Sequence, residues 1–129
     1  MTRFLLDTHA FFWFVLNNPS LSPNARDIIA NPENEIEVSP ATYWEISIKI
    51  RLGKYVLSEP VDVFMERELA ANQFGVLHIE PRHVAPLASL PFHHRDPFDR
   101  RIIAQAMAEG VPLISADEVF DKYPVERRW

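Results

Sequence analysis

The hydrophobic pattern along the chain switches repeatedly between short apolar runs and helical spacing. RFLLD, residues 3–7, is an apolar run closed by an acid and reads as a short buried strand. A helix follows over 8–17, rich in large apolar groups: Phe11, Phe12, Trp13, Phe14, Val15 and Leu16. LSPNARDIIAN offers Ser22 as N-cap and Pro23 at the first helical position, the start of a second helix. EIEVS alternates, with Ile36 and Val38 on one side, and predicts a second strand. Pro40 opens a helix through PATYWEISIKIRLG, which Gly53 can end in the left-handed conformation. PVDVFMERELAANQFG carries Val63, Phe64, Leu69 and Ala70 and predicts an amphipathic helix. VLHIEP reads as a third strand, and PRHVAPLASL as a short helix broken near Pro86. Pro91 and a His pair form a loop before a helix over 97–109. VPLISAD is a fourth strand, again closed by an acid; DEVFDKY gives a helical turn and VERRW an edge strand.

Strands separated by helices specify an α/β fold with a central, mainly parallel sheet of four to five strands flanked by helices. At 129 residues the chain is expected to be one domain over 1–129. That length buries roughly two-thirds of the unfolded surface. Repeats, linkers and low-complexity segments are absent from the sequence.

Composition narrows the class. Hydrophobic residues make up 47% and only three residues are Gly, so the chain is globular rather than disordered. The longest apolar stretch, FLLDTHAFFWFVL, is interrupted by Asp7 and His9 and falls short of the roughly 20 residues a membrane span needs. The first residues lack the pattern of a secretory signal, and with no Cys there is neither a disulfide framework nor a thiolate metal site. A cytoplasmic protein with no membrane attachment is expected. The net charge of −5 argues against nucleic-acid binding by bulk electrostatics, unless bound cations cancel several of the acids. Arg95, Arg100 and Arg101 form one local basic cluster, and Lys49, Arg51 and Lys54 a second.

The candidate chemistry lies at the strand ends. Sites in open α/β sheets form outside the carboxyl ends of the strands. Asp7 and Asp117 close two predicted strands, Asp96 and Asp99 open the helix over 97–109, and Glu45 sits early in a helix that follows a strand. Each has a bland explanation. Asp7, Asp96 and Asp117 can cap helices, Asp99 extends a capping-box pattern, and Glu45 is four residues before Lys49. Taken together the bland readings fit less well. Glu45 borders the stripe Ala41, Trp44, Ile48 and Leu52, with Ile46 and Ile50 as a second strip, so it is expected at the edge of a buried face. Clustered carboxylates repel and raise one another's pKa values, a cost that divalent cations remove. Hard oxygen ligands point to Mg²⁺ or Mn²⁺, and the matching chemistry is phosphodiester hydrolysis with ion-activated water. Thr8 and Ser115 supply hydroxyls beside the acids.

The segments LLDTHAFFW, YWEISIKIRLGK, RDPFDRRIIAQA and PLISADEVF resemble, in order and spacing, the PIN-domain ribonucleases, and in particular the VapC-type toxins of toxin–antitoxin pairs. The resemblance runs from residue 4 to residue 123. It implies a PIN fold, a Mg²⁺- or Mn²⁺-dependent endoribonuclease, and an antitoxin that blocks the site. Carried across by position, it implies that Asp7, Glu45, Asp99 and Asp117 are the catalytic and metal-binding acids, with Asp96 supporting them from the rim. Ser115 stands where the family often has Thr and keeps the hydroxyl. RNA contacts are expected from Arg95, Arg100, Lys49 and His9. The resemblance also implies a homodimer, and operator DNA bound only indirectly, through the antitoxin.

Two other readings compete. His93 and His94 suit metal-free RNA cleavage by imidazole acid–base catalysis, although adjacent histidines in a Pro-flanked loop are expected to be exposed. The aromatic first helix suits a non-catalytic interaction module, although most of it is expected in the core. A phosphoacceptor receiver fits poorly, because the strands end LLDTH and HIEP rather than at paired acids and a third-strand aspartate.

Overall fold

The computed structural model describes residues 2–129 and is built around one five-stranded parallel sheet. In chain order the elements are β1 (Arg3–Leu6), α1 (Thr8–Val15), α2 (Pro23–Ala30), β2 (Glu35–Val38), α3 (Pro40–Arg51), α4 (Val61–Ala71) and β3 (Gly75–Val76). Then come α5 (Pro81–Val84), a 3₁₀ turn (Ala85–Ala88), α6 (Pro97–Glu109), β4 (Leu113–Ile114), a second 3₁₀ turn (Glu118–Lys122) and β5 (Arg127–Arg128). The strand order is β3-β2-β1-β4-β5, with every pairing parallel. The first crossovers run outward from β1 to one side, and the chain later returns to β4 on the other. β1 therefore lies at the switch point, where open parallel sheets place their sites.

Strand alternation builds two cores. Phe4, Leu6, Ile36, Val38 and Ile114 face one side, covered by α1, α2 and α4 through Phe11, Phe12, Ala25, Ile29, Phe64 and Met65. Leu5 and Leu113 face the other, against Ile102, Ile103 and Ala106 of α6 and Phe120 of the second 3₁₀ turn. Most of the aromatic first helix is core: Phe11 and Phe12 are buried, and Trp13 and Phe14 are partly buried.

Two expectations change. The third strand is two residues long and starts at Gly75, where VLHIEP had suggested a longer one. Gln73 takes φ 57 and reverses the chain out of α4, and past Val76 only the Leu77 N–H reaches Val38, at 3.0 Å. The larger change is in α3. Its inward residues are Ala41, Thr42, Glu45 and Ile46, whereas the stripe Trp44, Ile48 and Leu52 is exposed. Glu45 is thus fully inside rather than at the edge of a buried stripe. Among the described residues no helix is long and apolar enough to cross a membrane.

Candidate active site

Leu6 of β1 pairs with Ile114 of β4, so the two strands end side by side. Asp7 leaves β1 as the N-cap of α1, and its Oδ1 accepts the Ala10 N–H at 2.8 Å. Asp117, after β4, caps the second 3₁₀ turn through Oδ1, which accepts the Val119 N–H at 3.0 Å. Asp96 caps α6, its Oδ1 accepting the Phe98 and Asp99 N–H groups at 2.8 and 3.2 Å. Capping is real at all three positions. It engages one oxygen of each carboxylate, so it does not exclude a second role.

Asp99 lies in the first turn of α6. Burial pushes its pKa up to about 8, and the charges of Asp96, Glu45, Asp7 and Asp117 add to the rise. The carboxylates that follow β1 and β4 and those of α3 and α6 are thus near enough for their charges to act on Asp99, and among them Asp117 brings a donor atom within 4.8 Å of it. The Asp7 pKa is raised too, chiefly by burial and further by Glu45, against the Ser115 hydroxyl and the Ala10 N–H. Ser115 is buried, and its hydroxyl accepts the Asp117 N–H at 3.0 Å and lies near enough to Asp7 to lower that acid's pKa. The Thr8 hydroxyl meets that of Thr42 at 3.1 Å and ties the start of α1 to α3.

Glu45 is 2% exposed. Its Oε2 accepts from Lys49 Nζ at 2.6 Å, while its Oε1 is buried with no hydrogen-bond partner. An unpartnered buried carboxylate oxygen is costly. Together with an aspartate held largely protonated near neutral pH, it describes a donor set of hard oxygens short of positive charge. Such a set fits Mg²⁺ or Mn²⁺.

The expected RNA-contact residues divide into two pairs. Arg95 and His9 are exposed, His9 stacking on Trp13 at 5.2 Å. Lys49 is engaged by Glu45. Arg100 is buried, donating to the carbonyls of Pro91 and Leu90 at 2.8 and 3.0 Å. The His pair also divides. His93 is exposed, but His94 is 8% exposed, and its Nε2 lies 2.8 Å from Asp117 Oδ2. Donor atoms of His94, Asp99 and Asp117 all fall within 4.8 Å of one another. Sequence reasoning placed both histidines in an exposed loop and missed this contact, as it missed Tyr123 and Thr42. The only signal available was that His94 stands two residues before Asp96.

A second acidic group, Glu80, His83 and Glu109, lies at the opposite end of α6. It is neutralised from within: Glu109 accepts from His83 at 2.9 Å and Arg3 at 3.1 Å and also pairs with Arg82. These contacts, His83 foremost, lower its pKa to about 2.

A family model described as PIN domain matches residues 4–126. The chain belongs to the PIN domain family. This PIN domain is 28% identical over 118 residues to Ribonuclease VapC22 of Mycobacterium tuberculosis, an alignment covering 91% of this chain and 88% of that one. Its backbone superposes on VapBC2 from Rickettsia felis, solved bound to a promoter DNA fragment, with a TM-score of 0.72 at 15% identity and 98% coverage of both chains. DNA-bound VapBC from Salmonella typhimurium matches with a TM-score of 0.67 at 19% identity, covering 99% of this chain and 98% of that one. At these identities the structural matches establish the PIN fold, and the acids above are read on this chain's own geometry.

Proposed function

We propose that this PIN domain is a Mg²⁺- or Mn²⁺-dependent endoribonuclease that acts as the toxin of a toxin–antitoxin pair. What supports the reading is that the charges of Asp7, Glu45, Asp96 and Asp117 all act on Asp99 at the β1–β4 edge, pushing its pKa up to about 8 together with burial, while Glu45 Oε1 is unpartnered. These four acids would hold the cation. Once bound, it supplies Lewis-acid activation of water and neutralises the charge that develops on the phosphodiester.

The protein's own part is positioning. Backbone N–H groups fix Asp7 and Asp117, Lys49 holds Glu45, and α6 presents Asp99 at its positive end. Ser115 braces the two strand-end acids, Thr8 joins α1 to α3, and Asp96 sets the start of α6 from the rim. Of the cationic and imidazole groups nearby, Arg95 and His9 are free to meet RNA phosphates, whereas Lys49 and Arg100 are spent on internal contacts. Against a metal-free His93–His94 pair stands the burial of His94 on Asp117.

The partners follow from similarity and surface. VapBC complexes are among the structural relatives, and a toxin of this kind is held by an antitoxin through which operator DNA is reached indirectly. The exposed stripe Trp44, Ile48 and Leu52 is apolar surface suited to protein contacts, those of a homodimer or of the antitoxin.

The test is cleavage of a structured RNA pool by antitoxin-free protein with Mg²⁺, Mn²⁺ or EDTA, with Asp7→Ala as control. Metal-dependent cutting that is lost in the variant, leaving 5′-phosphate ends, is expected. Cutting that survives both EDTA and the substitution would sink the reading.

A further inference from the structure

Asp117 differs from the other acids in how it is held. Asp7 and Glu45 are buried as well as hydrogen-bonded, but the Asp117 side chain is 41% exposed. Packing therefore cannot set its orientation, and hydrogen bonds must. Its Oδ1 accepts the Val119 N–H at 3.0 Å, and its Oδ2 faces His94 Nε2 at 2.8 Å.

Behind that contact runs a chain whose proton positions follow from its geometry. The Tyr123 hydroxyl oxygen accepts the His94 backbone N–H at 2.9 Å. Its own proton can then go to His94 Nδ1 at 3.2 Å or to the Pro91 carbonyl at 3.4 Å. A lone pair on Nε2 would face the Asp117 carboxylate at hydrogen-bond distance, which is repulsive. In the neutral ring Nε2 therefore carries the proton and donates to Asp117, which leaves Nδ1 to accept from Tyr123. The imidazole also packs against two rings, with centroids 4.5 Å from Phe120 and 5.5 Å from Tyr123. Both ring nitrogens are occupied, so the ring offers no lone pair to a cation.

We propose that His94 is a positioning residue: through its Nε2–H it clamps the Asp117 carboxylate facing Asp99, with Tyr123 fixing the tautomer that can do so. The inference rests on the carboxylate–metal reading and adds a supporting layer that the four acids alone do not supply. Groups that orient a ligand in this way typically change metal affinity by about 10- to 100-fold when removed.

The experiment is calorimetric Mn²⁺ titration of the antitoxin-free full chain, wild type against His94→Leu, His94→Gln and Tyr123→Phe, with thermal melts to confirm folding. His94→Leu keeps apolar bulk but removes the donor, and is expected to weaken Mn²⁺ binding about 10-fold or more. His94→Gln restores an amide N–H near the Nε2 position and should recover most of that loss. Tyr123→Phe keeps the ring contacts, loses only the hydroxyl, and should fall between; it also serves if the Leu variant does not fold. Wild-type Mn²⁺ affinity in a folded His94→Leu or Tyr123→Phe protein would overturn the inference. Equal losses in the Leu and Gln variants would overturn it as well, because they would make the imidazole itself the ligand. A wild type that binds no Mn²⁺ would instead remove the metal reading on which the inference stands.

Discussion

Asp96 and Asp99 show how position alone divides two identical side chains. Asp96 stands before Pro97 with extended backbone, and its carboxylate turns back onto two N–H groups at the start of α6. Asp99, one turn in, has its backbone N–H satisfied by that cap, and its carboxylate lies beside Asp117 under the charges of the other acids. The substitutions should therefore separate. Asp96→Ala loses a cap, worth about 1 kcal/mol of stability, and its RNA cleavage should fall less than about 10-fold. Asp99→Ala removes a ligand from the candidate site, and cleavage should fall on the order of 100-fold or more while the metal-free protein gains stability at alkaline pH. Parallel cleavage assays and melts check both. Equal activity of Asp99→Ala and wild type would remove Asp99 from the site.

At the scale of elements, Arg100 ties the loop before α6 back to its own helix. Arg100 is 8% exposed, donates to the carbonyls of Leu90 and Pro91, and lies 4.1 Å from the Phe92 ring centroid. This loop also carries His94 and Asp96, so the anchor bears on the site without touching it. Arg100→Ala should lower stability by about 1–3 kcal/mol and reduce cleavage, whereas Arg101→Ala, on an exposed residue of the same helix, should leave the melting temperature nearly unchanged. Similar melting temperatures for the two variants would mean that the loop is held elsewhere.

The same elements mark how far the sequence could be read. The positions of Asp7, Asp99 and Asp117 in the fold were legible because each stands at the end of a strand or the start of a helix, and a parallel sheet gathers those ends on one edge. The inward face of α3 was not, because the helix carries two apolar strips and periodicity cannot rank them. Packing chose Ile46, leaving Trp44 and Leu52 outside. The burial of His94 was illegible for another reason: it is created by Phe120 and Tyr123, more than 20 residues further along the chain.

For the whole molecule, charge, pH and metal binding form one balance. The Asp99 pKa rises from 3.8 to about 8 on folding, so the folded protein keeps a proton that the unfolded chain has already released. Its contribution to stability is fully present below pH 3.8 and is lost as pH rises through about 8. Asp7, whose pKa is also raised by burial, acts with the same sign. Glu109 acts with the opposite sign: its pKa falls from 4.5 to about 2, so its contribution is present above 4.5 and lost only as pH falls toward 2. Between about pH 6 and about pH 8 Asp99 therefore lowers stability as pH rises, while Glu109 stays ionised in both states. The melting temperature of the metal-free protein should fall across that interval, with a slope from Asp99 of at most about 1.4 kcal/mol per pH unit. Asp99→Asn should flatten it. Mn²⁺ binds the deprotonated acids, so the stabilisation it gives should grow with pH and oppose the decline, while binding at neutral pH releases protons measurable in buffers of different ionisation enthalpy. An unchanged slope in Asp99→Asn would mean that the loss of stability arises elsewhere than at this aspartate.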